Sequence, residues 1–132
     1  MSVVNEDRGE LAIELDGERF GLRPSYEALA EIESELGVGL MALTREALGG
    51  TLTMAQMGQV VAILIRAWGR SQNNVNAGGA KTDKITRMIM DSPGGMSTAM
   101  TVIGTALTLA VTGGLSPEGE VKAATSEPAT GA

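Results

Sequence analysis

Apolar and polar positions alternate at the start of the chain. Leu11, Ile13 and Leu15 are separated by Ala12 and Glu14 and preceded by Glu10. A period of two predicts a half-buried strand. Asp16-Gly17 follows directly and suits the two positive-φ positions of a type I′ turn, whose twist matches a hairpin. Phe20 and Leu22 then alternate with Arg19, Gly21 and Arg23, which predicts a second strand antiparallel to the first. Pro24 ends the pairing because it has no N–H to donate.

The period then changes from two to nearly four. Ser25 can cap a helix through its hydroxyl. Tyr26, Leu29, Ile32 and Leu36 fall on one face, and Glu27, Glu31, Glu33 and Glu35 take the rest. Gly37 suits a left-handed stop. A hairpin alone is marginal in water, so this helix is its nearest cover. Leu40, Leu43, Ala47 and Leu48 predict a short second helix closed by Gly49-Gly50. Thr53 and Gln56 have the spacing of a capping box. They open a helix over about 54–69 with Met54, Met57, Val61, Leu64, Ile65 and Trp68 as its apolar stripe and Gln56, Gln59 and Arg66 opposite. Residues 70–80, RSQNNVNAGGA, have the composition of a loop. A further helix is predicted over 83–90, with Ile85, Met88 and Ile89 inward and Lys84 and Arg87 outward. Residues 92–95 are a turn, and 96–112 form a last helix that carries no charge.

The run GELAIELDGERFGLRPSYEALAEIESELGVGL, residues 9–40, resembles the start of a small family found in gene transfer agents and related tailed phages. The shared pattern is a short hairpin with an Asp-Gly turn, an LRPSYEALAEIE helix, and G-x-G-L. That family is placed among tail assembly chaperones, and its members are often catalogued as tail tube proteins. The resemblance implies a non-enzymatic protein that binds the tape-measure protein during tail morphogenesis and hands it to tail tube subunits, with weak self-association along the client. It brings no catalytic motif and no cofactor.

Composition narrows the chemistry. The chain has no Cys and no His, so disulfides, thiol catalysis, Ser-His triads and His-ligated zinc are excluded. A Ser-Lys pair is left open by composition, although no motif supports one. A net charge of −6 argues against a general nucleic-acid partner. Residues 1–36 hold ten acids and three bases, whereas 66–87 hold Arg66, Arg70, Lys81, Lys84 and Arg87 against Asp83 alone. That asymmetry could steer a charged partner or align subunits; two solvated faces of one domain explain it more simply. The first residues lack the basic start and apolar run of a signal peptide, and Ser2 stands where myristoylation needs Gly. A cytoplasmic protein in the bacterial host is expected.

Three features invite a bolder reading. Residues 96–112 reach the short limit for a span of a roughly 30 Å hydrocarbon layer. However, Thr98, Thr101, Thr105, Thr108 and Thr112 form one stripe and Met100, Ile103, Leu107 and Val111 another. A half-buried core helix explains both, so no membrane partner is expected. Gly78-Gly79-Ala80-Lys81-Thr82 resembles the end of a phosphate loop, but Ala80 and Val75 stand where that motif requires Gly. Glu27, Glu31 and Glu35 line one helix face and are read as solvated.

The methionines are the remaining candidate. Only Phe20, Tyr26 and Trp68 are aromatic, while eight residues are Met. Met88, Met90, Met96 and Met100 cluster near the end and could form an adaptable apolar surface for a helical partner. Gap-filling in a core poor in aromatics is the plainer explanation for Met88 and Met100, which lie on predicted core stripes.

The expectation is therefore an α+β protein: a two-stranded antiparallel hairpin packed on four to five helices over 9–113, with a flexible start over 1–8 and a disordered tail over 114–132. The leading function is a tail assembly chaperone. The alternatives are a structural tail tube or connector subunit and a small membrane-active protein using 96–112.

Overall fold

Asp16 and Gly17 both take positive φ, 53° and 80°, as a type I′ turn demands. The computed structural model describes residues 11–114 and 117–118. The flexible start expected over 1–8 lies outside them, as does the tail expected over 114–132 apart from Gly114, Pro117 and Glu118. The turn joins β1 (Leu11–Leu15) to β2 (Glu18–Leu22) in an antiparallel hairpin. Its register pairs Leu11 with Leu22, Ile13 with Phe20 and Leu15 with Glu18. Paired residues share a face, so Ile13, Leu15, Phe20 and Leu22 enter the core together.

Among the described residues six helices follow: α1 (Tyr26–Leu36), α2 (Leu40–Leu48), α3 (Met54–Ser71), α4 (Val75–Gly78), α5 (Thr82–Asp91) and α6 (Gly95–Val111). The fold is α+β, as expected. Local chemistry sets many of the boundaries. The Ser25 hydroxyl accepts from Ala28 N–H at 3.2 Å, and Gly37 closes α1 in the left-handed conformation with φ 67°. The Tyr26 N–H, which has no partner inside the helix, donates to the Pro117 carbonyl at 2.7 Å. Glu33 Oε2 accepts from Leu40 N–H at 2.9 Å and so links the end of α1 to the start of α2. The capping box at α3 is complete in both directions, Gln56 N–H to Thr53 Oγ1 at 3.0 Å and Thr53 N–H to Gln56 Oε1 at 2.8 Å.

The core is built around α3. It packs against β2, α1, α4, α5 and α6, while α2 lies mainly on α6 and β1 lies on α6 and α5. Every residue from Val60 to Ile65 is buried, so the helix is enclosed on nearly all sides. The expected single stripe of α3 is therefore too narrow a description: a helix apolar all round belongs inside the core.

Other departures have local causes. Tyr26 and Met54, assigned to apolar faces, are 68% and 44% exposed. Each is the first residue of its helix, where no preceding turn covers it. Leu48, the last residue of α2, is 67% exposed. The stretch 70–80 is not wholly a loop. The long helix runs on to Ser71, and α4 forms one turn capped by Asn74, whose side chain accepts from Ala77 N–H at 3.1 Å. The helix α6 has the two-faced character expected: Ala99, Ile103, Ala106 and Leu107 are buried, while Thr98, Thr101, Thr105 and Thr112 are exposed. Among the described residues no helix is long and apolar enough to cross a membrane.

Candidate functional site

The four methionines do not make one surface. Two residues apart on a helix means about 200° of rotation, so Met88 and Met90 leave α5 in opposite directions. Met88 is 9% exposed and belongs to the core, whereas Met90 is 49% exposed. Met96 and Met100 are one turn apart on α6 and share a face. Met96 is 38% exposed, and Met100 is partly buried against the core.

Met100 does line an open groove, between α6 and the end of α2, of about 710 Å³. On one side stand Ser97, Met100, Thr101, Gly104, Thr105, Thr108 and Leu109. These recur every three or four residues and form a straight stripe along α6. On the other side are Ala47, Leu48, Gly49 and Gly50. Two packing details shape this groove. A β-carbon on Gly104 would stand 3.3 Å from Leu48 Cδ2, so the missing side chain lets α2 and α6 approach closely. Gly50, with φ 75°, turns the chain away from α2 without a side chain that would raise that wall.

Among the described residues none that lines the groove is charged. The hydroxyls of Thr101, Thr105 and the C-cap Thr112 donate back to the carbonyls of Ser97, Thr101 and Thr108 at 3.0, 3.0 and 2.7 Å. Thr108 differs from these three. Its Oγ1 is buried and has no hydrogen-bond partner.

Two other concavities are more polar. One lies at the start of α1 among Arg23, Ser25, Glu27, Arg70 and Glu118. The second lies between β2 and α5 and includes Glu18, Arg19, Asn74 and Lys84. Both mix charges of opposite sign. Among the described residues no three acidic groups come together in a way that could hold a metal ion. Of these three concavities the groove is the one whose described lining carries no charge. The sequence pointed to Met100 and to the hydroxyl stripe, but Leu48 and the two glycines after it were read only as a helix end. Their part in the groove depends on α2 lying on α6, which no local pattern announces.

No curated protein and no solved structure matches the chain. A family model described as phage tail tube protein, GTA-gp10, matches residues 8–113. That match spans the hairpin and the six described helices, so the chain belongs to this gene transfer agent and phage tail family.

Proposed function

We propose that the protein is a tail assembly chaperone: it holds apolar helices of the tape-measure protein during tail morphogenesis and releases them to tail tube subunits. The observation that supports this reading is the open groove between α2 and α6, whose described lining is small, apolar or hydroxyl-bearing and without charge, a surface that can take another protein's helix. Assembly of this kind takes place in the host cytoplasm and uses no cofactor.

A second reading, a structural subunit of the tail tube, is favoured by the description of the family itself. Against it stands the strand content. The described residues offer one hairpin of two five-residue strands, with its apolar face committed to the core. A tube wall assembled by strand pairing calls for longer strands with free edges.

Purified particles separate the two. A chaperone is absent from finished particles, or present far below one copy per tube subunit. Recovery in stoichiometric amount would establish the structural reading instead.

A further inference from the structure

We propose that the chain beyond α6 is a latch: it turns at Gly113, seats its Pro117 carbonyl on the first amide of α1, and opens and closes there while the core stays folded. This stands apart from the assembly role proposed above and requires no partner.

The turn is built into the end of α6. Gly113 has φ 76°, and its N–H donates to the Ala110 carbonyl at 3.3 Å. The Gly114 N–H donates to the Leu109 carbonyl at 2.9 Å. Those two bonds around a left-handed glycine make a Schellman stop, which ends a helix and redirects the chain. Pro117 follows Gly114 by three residues, so the two lie within about 10 Å of each other. The stop of α6 therefore holds Pro117 close to the start of α1.

The seat takes what the segment offers. Tyr26 opens α1, and an N–H at that position has no acceptor inside its own helix. The Ser25 hydroxyl is engaged by Ala28 N–H, so the Pro117 carbonyl, at 2.7 Å, is what serves Tyr26. Charge agrees. Arg23 and Arg70 stand around the seat against Glu27, and the segment brings Glu118 to the same pocket of about 480 Å³. The positive end of α1 favours that acid as well.

The contact is shallow, which makes it a latch rather than a piece of the core. Pro117 and Glu118 are both exposed, and Tyr26 is 68% exposed with the segment in place. Closure hides little apolar surface and rests on the hydrogen bond. One ordinary bond shifts an equilibrium by roughly two- to tenfold, so the open form stays accessible from the folded state. The short tether gives the segment a local concentration of about millimolar or more, an advantage that the same segment of a second copy lacks.

The test uses the full chain. Tyr26→Pro removes the donor and keeps the helix, because Pro is favoured at the first helical position and Ser25 already has the extended ψ of 164° that a following Pro needs. Tyr26→Ala keeps the donor and removes only an exposed ring. A Glu-specific protease reads the latch, since cleavage after Glu118 requires Pro117 and Glu118 to leave the seat. Tyr26→Pro should be cut there roughly two- to tenfold faster than the wild type, and Tyr26→Ala at the wild-type rate. Circular dichroism and Trp68 fluorescence check that each variant is folded. Equal cleavage of the Pro and Ala variants would overturn the latch. So would a wild type that resists cleavage after Glu118 until urea unfolds it, because the segment would then belong to the core. Deuterium exchange of the wild type is an independent measure: the Tyr26 N–H should exchange at least twofold slower than in an unstructured peptide of the same local sequence. Exchange at the peptide rate would overturn the proposal. Protection that fades on dilution would assign the carbonyl to a second copy of this chain and overturn it too.

Discussion

The Trp68 indole fills the space that a β-carbon on Gly21 would occupy. Gly21 is the fourth residue of β2 and Trp68 lies in the last turn and a half of α3, so this contact fixes the hairpin against the central helix. Gly21→Ala must push the ring aside or shift the strand. Overpacking of this kind costs about 1–3 kcal/mol. Trp68 is the sole tryptophan, so its emission should shift red in the folded variant as the ring leaves its buried seat. Urea unfolding followed by that emission should show an earlier midpoint. An unchanged midpoint and spectrum would mean that the ring is not held there.

A similar contact joins α3 to α5. The Thr86 hydroxyl lies where a β-carbon on Gly58 would stand, and Thr86 Oγ1 donates to the Thr82 carbonyl at 2.8 Å. Gly58→Ala alone should destabilise despite the better helix propensity of Ala, which is worth about 1 kcal/mol. Combined with Thr86→Ala, which removes the closest atom, the loss should shrink, leaving a coupling of about 1 kcal/mol or more in a double-mutant cycle. Thr86 Cβ would still be 2.9 Å away, so the rescue should be incomplete. Additive losses would place the two residues further apart than described.

The capping box at α3 is a separate handle, since both hydrogen bonds are exposed. Thr53→Ala should cost about 1 kcal/mol, within a usual range of 0.5–2. Thr53→Asp or Thr53→Ser should recover most of it. Chemical unfolding of the three variants measures the series; equal stability of the Ala and Ser variants would remove the cap from the account.

These elements also show what could be read in advance. The hairpin turn, the caps at Ser25 and Thr53 and the stop at Gly37 are set by residues within a few positions of one another, and all were legible. The single turn of α4 was not. It is held by Asn74 and by the close approach of Gly69 to the backbone of Ala77 and Gly78, a contact between separate parts of the chain. Periodicity located the inward face of α5, but could not tell that α3 is covered on nearly all sides. The split of Met88 from Met90 follows from helix geometry alone. The groove does not, because Leu48 and Thr108 are sixty residues apart and meet only through packing.

Arg66 offers a prediction in which magnitude separates two kinds of contact. Its Nη1 donates to the Ala80 carbonyl at 2.9 Å, and its Nη2 pairs with Glu31 Oε2 at 3.4 Å. The Arg66 side chain is 19% exposed and that of Glu31 is 36% exposed. The ion pair is long and partly in water, so Glu31→Gln should cost no more than about 1 kcal/mol and lose even that at high salt. The carbonyl bond is different. It ties the link between α4 and α5 to the last third of α3 through a charged donor, and such bonds are worth about 1.5–3 kcal/mol. Arg66→Met keeps much of the apolar stem but removes the donor, so its loss should be larger and nearly independent of salt. Arg66→Lys has no planar fork with which to serve both partners and should fall between the other two. Urea unfolding at low and high salt measures all three. Were Glu31→Gln to cost as much as Arg66→Met, the ion pair rather than the Ala80 carbonyl would be what holds α1, α3 and α5 together.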